Sequence, residues 1–274
     1  MTAINAIADV LPEKPEFLLN NAEPGWAAAA EAMPAEDLLA SAFNEWGRGL
    51  VLCTALQSEG VVLLDMCRRI FPALRVYTVD TGRLPEETHA FMAELNRHFD
   101  IRIEVLAPQP GELAWLAREH GVNAFRDSRA ERHLCCQVRK VHPMRALLSG
   151  QNGGAAPQAW ITGVRRDQSP ARAHTPRLGF DSHVPSVWKL APLADWTHAQ
   201  VEDYTLRHRL PRHPLYAQGY ASLGCAPCTR ALRPGENERA GRWWWETGEN
   251  KECGLHYTPD GLLLPHGAAL RVLD

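Results

Sequence analysis

The sequence predicts an α/β fold in which a doubly wound, mostly parallel sheet is covered by helices. From about residue 36, short β-rich runs alternate with helical segments, which is the pattern of such a sheet. The composition agrees, because 274 residues with 45% hydrophobic and 22% charged residues can bury one large core or two smaller ones. A disordered or collagen-like chain is therefore excluded.

The predicted elements follow this alternation along the chain. Strands are expected at 49–55, 75–80, 101–106 and 158–163, and helices at 61–70, from Pro85 onward, at 128–148 and at 201–209. The strand runs, such as GLVLCTA and RVYTVD, are short and apolar. Pro85 suits the first turn of a helix, where the N–H that proline lacks has no helical partner. The helix at 128–148 is expected from its composition.

Three regions divide the chain: an N-terminal extension (1–35), a nucleotide-binding α/β domain (36–209) and a Cys-rich, irregular C-terminal segment (210–274). The C-terminal segment has too few periodic apolar positions for a core of its own, so we expect it to wrap the active face of the sheet. Residues 149–157 carry the Gly, Asn and Pro of a connecting loop. Residues 165–178 contain four arginines and form either a mobile lid over an anion or a solvated loop.

The overall charge limits the partners of the protein. Lys and Arg number 29 against 32 Asp and Glu, for a net charge of −3, so no global basic field exists to hold a nucleic acid. Any anion site must be built locally. The sequence has no apolar run of about 18 residues and no leader-like start, which predicts a cytoplasmic protein without a membrane contact.

Two turns are placed to hold a nucleotide. Open α/β sheets bind ligands beyond the carboxyl ends of their strands, and the loops 54–60 and 80–83 follow the first and second predicted strands. The first loop has no Walker signature, and Gly82 allows the backbone of the second to approach a planar ligand. The candidate nucleotide-binding residues are Thr54, Ser58, Glu59, Asp80 and Gly82.

Four of the seven cysteines form a candidate metal site. Cys135 and Cys136 are adjacent, and Cys225 and Cys228 form a C-x-x-C pair. Four thiolates suit zinc or an iron–sulfur cluster. Adjacent cysteines splay their side chains, which favours the separate irons of a cluster, while zinc and a redox dithiol remain alternatives. The remaining apolar-flanked cysteines, at positions 53 and 67, are expected to be small buried hydrophobes.

Cys253 is a candidate nucleophile. It stands apart from the four-cysteine set, and the nearby Lys251 and His256 favour its thiolate form. The alternative is an ordinary exposed cysteine in the C-terminal segment.

Seven segments resemble one known family, the assimilatory sulfonucleotide reductases. They are TVDTGRLPEET (78–88), ERHLCCQVRKVHPM (131–144), GVRRDQSPAR (163–172), PLADWT (192–197), LPRHPLYAQGYASLGCAPCT (210–229), GRWWWE (241–246) and KECGLH (251–256). The resemblance spans roughly residues 41–256 in order, and the joint occurrence of CC, C-x-x-C and ECGLH is highly specific.

This resemblance implies an adenine nucleotide alpha-hydrolase-like fold and an adenylyl-sulfate reductase. Such an enzyme reduces adenosine 5′-phosphosulfate to sulfite and AMP through an S-sulfocysteine that thioredoxin, or glutaredoxin, resolves. The reaction belongs to sulfate assimilation and cysteine biosynthesis. Members with the four extra cysteines carry a 4Fe-4S cluster and use the substrate without a 3′-phosphate, whereas members without them use phosphoadenylyl sulfate.

The resemblance also assigns site residues. It makes Cys253 the nucleophile, and it maps the cluster ligands onto Cys135, Cys136, Cys225 and Cys228. It places the phosphate loop at 54–59. The residues expected to bind the substrate around its phosphate and sulfate are Lys140, Arg165, Arg166, Arg239, Arg242 and His256. Their cationic groups can offset the two anionic groups of the substrate.

Other functions remain open at this point. A phosphoadenylyl-sulfate reductase or a dual-specificity enzyme is one alternative, with Arg83 as a donor to a 3′-phosphate if it does not pair with Glu86 or Glu87. A zinc-stabilised nucleotide- or nucleic-acid-binding module is another, and an ATP-pyrophosphatase-type ligase is a third, although 54–59 lacks the loop that such a ligase needs. The sequence does not fix the oligomeric state, and a homo-oligomer is one option.

Overall fold

A single mixed sheet forms the centre of the molecule. The computed structural model of the protein describes residues 24–247 and 251–252. Its six strands are β1 (Leu50–Cys53), β2 (Arg75–Val79), β3 (Ile103–Leu106), β4 (Ala159–Ile161), β5 (Leu178–Phe180) and β6 (Trp188–Leu190). Their order is β3-β2-β1-β4-β6-β5, and every pair is parallel except β5 with β6. The chain therefore winds outward from β1 in both directions, which confirms the doubly wound prediction.

Helices connect these strands. In the described part of the chain they are α1 (Pro24–Ala32), α2 (Ala35–Trp46), α3 (Ser58–Ile70), α4 (Glu86–Phe99), α5 (Pro110–Glu119), α6 (Arg129–Cys136), α7 (His142–Leu148) and α8 (His198–Arg207). The predicted helix at 128–148 is interrupted, because a π-helical turn (Gln137–Val141) separates α6 from α7. In this part of the chain, none of the helices is long and apolar enough to cross a bilayer.

Both faces of the sheet are buried, as parallel strands require. Successive side chains of β1 point to opposite sides, so Leu50 and Leu52 join the larger core while Val51 joins the smaller one. The larger core receives the apolar faces of α2, α3 and α8. The smaller core is closed by α7, through Met144 and Leu147. Each of these fully buried side chains contributes about 1.5–3 kcal/mol of transfer free energy.

Residues on either side of the α/β domain pack against it. Helix α1 lies in the segment assigned to the N-terminal extension, and its Trp26 contacts Trp46 and Trp188 with ring centroids 5.0 and 5.1 Å apart. The C-terminal segment is irregular over its described residues: two short turns, Pro214–Gln218 and Ala226–Cys228, and one isolated bridge, between Thr229 and Arg242, account for its regular structure.

Candidate active site

The candidate site lies at the carboxyl ends of β1, β2 and β4. The chain leaves β1 and β4 in opposite directions across the sheet, so the loops after these strands border a crevice. In open α/β sheets this switch point is the usual ligand site. Main-chain bonds fix the loops: the Thr54 N–H donates to the Tyr77 carbonyl and the Thr162 N–H donates to the Leu190 carbonyl.

The loop after β1 is held by its own side chains. Thr54 Oγ1 accepts a hydrogen bond from the Leu56 N–H at 3.0 Å, and Leu56 adopts a φ of 56°. Gly60 is required here, because a Cβ at this position would lie 2.0 Å from Thr54 Oγ1. The loop is also tied to the C-terminal segment, since the Ser58 N–H donates to the Tyr216 hydroxyl at 3.2 Å and Gln57 Oε1 accepts from the Leu223 N–H at 2.8 Å.

The turn after β2 is built around Asp80. One carboxylate oxygen accepts a hydrogen bond from the Gly82 N–H at 2.8 Å, and the other lies 2.9 Å from His89 Nε2. Gly82 has a φ of 68°, which favours glycine. Arg83 points away from this turn: it bonds Asn123 Oδ1 at 3.1 Å, and its guanidinium carbon lies 5.1 Å from the centre of the Phe125 ring. The structure gives Arg83 these partners instead of a glutamate on α4.

The four predicted ligand cysteines meet in one place. Cys135 and Cys136 end α6, whereas Cys225 and Cys228 flank a short turn in the C-terminal segment. All four line one recess, and no disulfide joins them within the described residues. We call this recess the thiol pocket, and its other lining residues are Arg83, Phe125, Arg132, Arg139, Lys140 and Trp243.

The electrostatics of the thiol pocket depend on burial. Burial raises the pKa of the Cys228 thiol to about 11, and the neighbouring Cys225 adds to this rise. Burial also raises the pKa of Cys135, against the opposing effect of Arg139. Without a further group these thiols stay protonated at neutral pH, although several cationic side chains line the same recess. Metal binding deprotonates thiols outright, which would balance that charge.

Hydrogen-bond donors around the thiol pocket also suit a sulfur-rich anion. Trp243 Nε1 is buried and has no hydrogen-bond partner among the described residues. The Thr81 hydroxyl lies 3.2 Å from Cys225 Sγ. In the described ranges, no group of three or more His, Cys, Asp or Glu side chains is placed so that it could hold a metal ion. The donor set, the surrounding cations and the unused indole N–H together fit an iron–sulfur cluster.

The π-helical turn directs two cations toward the thiol pocket. It follows the paired cysteines and contains Arg139 and Lys140, both of which line the pocket. Arg139 Nη1 donates to the Thr81 carbonyl at 2.7 Å, which joins this turn to the end of β2. Such turns inside α-helices occur frequently at functional sites.

Arg165 is buried and surrounded by carboxylates. Its Nε lies 2.8 Å from Glu59 Oε1 and its Nη2 lies 3.3 Å from Glu238 Oε2, and it also pairs with Asp167. Burial lowers the pKa of Arg165, but these carboxylates outweigh it and leave the pKa raised. Its neighbour Arg166 bonds Glu31 Oε2 at 2.6 Å and the Thr175 carbonyl at 2.9 Å.

The arginines that follow the C-x-x-C pair have separate roles. Arg242 Nη1 donates to the Leu223 carbonyl at 2.6 Å, and its guanidinium carbon lies 4.7 Å from the centre of the Trp243 ring. Arg239 Nη2 donates to the Lys251 carbonyl and to Glu252 Oε2, both at 3.1 Å. Arg239 is thus joined to the residues that directly precede position 253.

Comparison with known proteins identifies the family. Residues 49–231 match the model of the phosphoadenosine phosphosulfate reductase domain. The chain belongs to this family. A protein from Allochromatium vinosum named adenosine 5′-phosphosulfate reductase is 45% identical over 207 residues, which are 76% of this chain and 78% of that protein. A protein of the same name from Pseudomonas aeruginosa is 38% identical over 239 residues, 85% of this chain and 86% of that one.

Solved structures match this phosphoadenosine phosphosulfate reductase domain in fold. Phosphoadenylyl-sulfate reductase from Candida auris, in a phosphate complex, has a TM-score of 0.61 at 21% identity over 76% of this chain and 95% of that one. FMN adenylyltransferase from Candida glabrata, in complex with ATP, has a TM-score of 0.51 at 17% identity over 78% and 67% of the two chains. The predicted adenine nucleotide alpha-hydrolase-like fold is confirmed.

The structure of this family member brings most of the predicted site residues to one edge of the sheet. Arg166 is an exception, since it bonds Glu31 and the Thr175 carbonyl, and Cys253 and His256 lie outside the described residues. Cys67 is 4% exposed, and burial raises the pKa of its thiol to about 12, in keeping with a small buried hydrophobe. The predictions for individual substrate-binding and ligand residues stay predictions.

The sequence analysis did not predict two buried arginines of the candidate site. Arg132 is fully buried, binds Glu246 through its guanidinium and lies 4.4 Å from the centre of the Trp243 ring. Arg172 forms a fork with the Glu252 carboxylate. A signal for Arg132 exists in the sequence, because it lies four positions before Cys136 and therefore on the same face of α6. No comparable spacing marks Arg172.

Proposed function

We propose that this protein reduces adenosine 5′-phosphosulfate to sulfite and AMP. The observation that carries the proposal is the meeting of four cysteines from two distant segments in the thiol pocket, beside the chain that leads to Cys253. Both relatives described above bear the name of this reductase. The zinc-stabilised binding module has no comparable support, because the net charge of −3 provides no surface for nucleic acid.

A 4Fe-4S cluster is proposed as the cofactor of the thiol pocket. Cys135, Cys136, Cys225 and Cys228 would hold it. When bound, it supplies fixed charge that polarises the anion site, and it need not pass electrons to the substrate. Lys140 lines the same pocket, so its ammonium group can serve both the bound thiolates and the anionic end of the substrate.

The substrate carries a phosphate joined to a sulfate, and both are anionic. Lys140, Arg239 and Arg242 are the proposed cationic partners, with arginine offering a planar fork and lysine a point charge. Arg165 is fully buried between carboxylates, which supports a structural part for it: it fixes Glu59 in the first turn of α3. The N-terminus of α3 then faces the loop after β1, where backbone N–H groups suit a phosphate.

The proposed reaction begins with the thiolate of Cys253. It attacks the sulfur atom of the sulfate group, and the bond between that sulfur and the bridging oxygen breaks. The electron pair of this bond leaves with AMP, and an S-sulfocysteine remains on the enzyme. A thiolate of thioredoxin, or of glutaredoxin, attacks the Cys253 sulfur and expels sulfite with the electron pair of the S–S bond. A second thiol of the reductant then displaces Cys253 and leaves the reductant as a disulfide.

The structure favours the substrate without a 3′-phosphate. That group adds roughly −1.5 to −2 charges near neutral pH and needs further cationic donors. Arg83, the candidate donor in the turn after β2, is instead engaged by Asn123, by the Val122 carbonyl and by the Phe125 ring. We therefore expect a higher kcat/KM for adenosine 5′-phosphosulfate than for its 3′-phosphorylated form.

A sulfite-release assay on anaerobically purified protein tests the proposal. Both nucleotides are compared, with thioredoxin as the reductant and at several ionic strengths. Release of sulfite from adenosine 5′-phosphosulfate with the higher kcat/KM supports the assignment. Equal or reversed preference at physiological salt would overturn the choice of substrate, and the absence of sulfite from either nucleotide would overturn the function.

A further inference from the structure

The carboxylate of Glu252 lies in a socket of three side chains, which we call the arginine socket. Arg172 grips it with two donors, Nε at 2.9 Å from Oε1 and Nη2 at 2.8 Å from Oε2. Arg239 Nη2 donates to Oε2 at 3.1 Å, and the Ser169 hydroxyl donates to Oε1 at 3.0 Å. Four hydrogen bonds, three of them between charged groups, thus converge on one carboxylate. Such bonds are the stronger class.

The arginine socket is buried, and its charge is compensated. The side chain of Glu252 is 12% exposed and that of Arg172 is 9% exposed. Burial raises the pKa of Glu252, but Arg172, Arg239 and the Ser169 hydroxyl more than offset this effect and leave the pKa lowered. The carboxylate is therefore ionised at neutral pH, and loss of its charge would leave two buried guanidinium groups poorly paired.

The backbone beside Glu252 is held as well. Arg132 Nη1 donates to the Glu252 carbonyl at 2.8 Å, and Arg239 Nη2 donates to the Lys251 carbonyl at 3.1 Å. Arg132 is itself fixed by Glu246 and lines the thiol pocket. The arginine socket therefore holds the side chain of Glu252, and Arg132 and Arg239 hold the main chain of residues 251–252.

The arginine socket is also connected to the loop after β1. Arg172 Nη1 donates to Gln168 Oε1, and Gln168 Nε2 donates to Glu59 Oε1 at 3.0 Å. Glu59 lies in the first turn of α3, next to the proposed phosphate loop. A chain of hydrogen bonds therefore runs from that loop to the residue before Cys253.

We propose that Glu252 is a positioning residue. Its carboxylate seats the chain in the arginine socket and so sets where the next residue, Cys253, presents its thiol to the substrate. The importance of that thiol rests on the proposed function, whereas the anchoring of residues 251–252 does not. Glu252 itself takes no part in bond making or breaking.

The test compares Glu252→Gln with the wild-type holoenzyme as the full chain. Gln has the same shape but loses the charge-assisted bonds, so hydrogen–deuterium exchange of the peptide that contains residues 250–254 should become about tenfold faster. The value of kcat for sulfite release should fall by about tenfold, with a smaller change in KM. Glu252→Asp should recover part of kcat. The matched control is Glu236→Gln, which breaks a Glu–Arg fork with Arg230 outside the socket and should change neither value.

Several outcomes would overturn the proposal. Unchanged exchange in Glu252→Gln would mean that the carboxylate does not anchor the chain, and faster exchange with an undiminished kcat would mean that the anchoring does not position the thiol. Tighter nucleotide binding with full kcat would identify Glu252 as a stand-in for the substrate anion. If Glu252→Gln fails to fold, Ser169→Ala removes a single bond of the socket and should show smaller changes in the same directions.

The exchange measurement also separates this proposal from the proposed function. If the wild type releases no sulfite but the Glu252→Gln peptide exchanges faster, the anchor stands and the reductase assignment fails. If sulfite is released normally and exchange is unchanged in the variant, the anchor fails alone.

Discussion

The thiol pocket and the arginine socket lie side by side but handle charge in opposite ways. In the arginine socket and around Arg165, every guanidinium meets a carboxylate at hydrogen-bonding distance. In the thiol pocket, Arg132 pairs with Glu246, whereas Arg83, Arg139 and Lys140 line the recess beside thiols whose pKa burial has raised. In the first region, protein carboxylates offset the guanidinium charges, whereas in the second the proposed cluster would supply the thiolate charge.

The partners of a cation indicate its role. Arginines bound to carboxylates stabilise the structure around the site, whereas cations that line the thiol pocket are placed to bind an anionic ligand. The charge of Arg165 and Arg166 makes them predicted substrate contacts, but both are bound to carboxylates within the protein. Lys140 lines the thiol pocket and is joined to it by charge, since its ammonium group lowers the pKa of Cys228 against the effect of burial. Arg239 falls in both groups, because it binds Glu252 in the arginine socket and is also a proposed substrate partner.

The largest expected effect concerns the residue that follows the arginine socket. Cys253→Ser should abolish turnover while iron content, visible absorption and nucleotide binding persist, because the change removes a nucleophile and no cluster ligand. The measurement is sulfite release under anaerobic conditions, with Cys67→Ala as a control that changes a buried thiol outside both regions. A substantial fraction of wild-type turnover in Cys253→Ser would contradict the assignment.

The next effect concerns the thiol pocket directly. Cys228→Ala should lose visible absorption and iron, and activity with them, because three thiolates leave one iron without its protein ligand. Iron analysis and absorption spectra of anaerobically purified protein measure this, again against Cys67→Ala. A variant that remains coloured, iron-replete and active would show that Cys228 is not a ligand, and colourless wild-type protein with bound zinc would replace the cluster with a zinc site.

The third prediction concerns Arg165, the buried guanidinium that is bound to carboxylates. Arg165→Met should lower the free energy of unfolding by about 3–5 kcal/mol, because it leaves the buried Glu59 carboxylate without its charged partner. Urea unfolding measures this loss. The matched control is Arg75→Met, since Arg75 pairs with Glu104 at the surface and such a pair contributes about 0–1 kcal/mol. Similar losses in the two variants would show that Arg165 is not the centre of a buried network.

The sequence predicts the fold better at its centre than at its edges. Strand β1 and helix α3 carry long enough apolar patterns for their positions to be predicted within a few residues. Strands β5 and β6 have three residues each, which is too short for a period of two to be visible. The π-helical turn within the predicted helix at 128–148 has no local signal in the sequence either.

For the candidate site, the sequence predicts the residues better than it predicts the pairs that they form. The cysteine motifs are local and specific, so the sequence alone could nominate all four candidate ligands, and the structure brings these cysteines together. The partner of a buried arginine is not local: Glu59 and Arg165 are 106 positions apart, and Arg132 and Glu246 are 114 positions apart. Only the packing of the chain decides whether an arginine meets a carboxylate or a ligand.

Arg165 is paired with three carboxylates, which carry more negative charge than one guanidinium offsets. The smallest expected effect comes from neutralising one of them, Glu238. Glu238 is the more distant of its two glutamate partners, and burial raises the pKa of this carboxyl against the effect of Arg165. A carboxyl with a raised pKa in the folded state contributes stability at low pH that is lost as the pH rises through that pKa. Glu238→Gln should therefore change the free energy of unfolding by less than about 1 kcal/mol at pH 7. The free energy of unfolding of the variant, relative to that of the wild type, should therefore rise as the pH increases from about 4.5 to about 7.

Urea unfolding of wild type and Glu238→Gln at both pH values measures this difference. Glu59→Gln is the matched comparison: Glu59 bonds Arg165 and Gln168 through the same oxygen, and loss of its charge deprives a buried guanidinium of its most buried carboxylate partner. We expect Glu59→Gln to be the more destabilising of the two at pH 7. Equal losses, or a Glu238→Gln variant that loses stability relative to the wild type as the pH rises, would show that all the carboxylates around Arg165 are needed and that none is surplus.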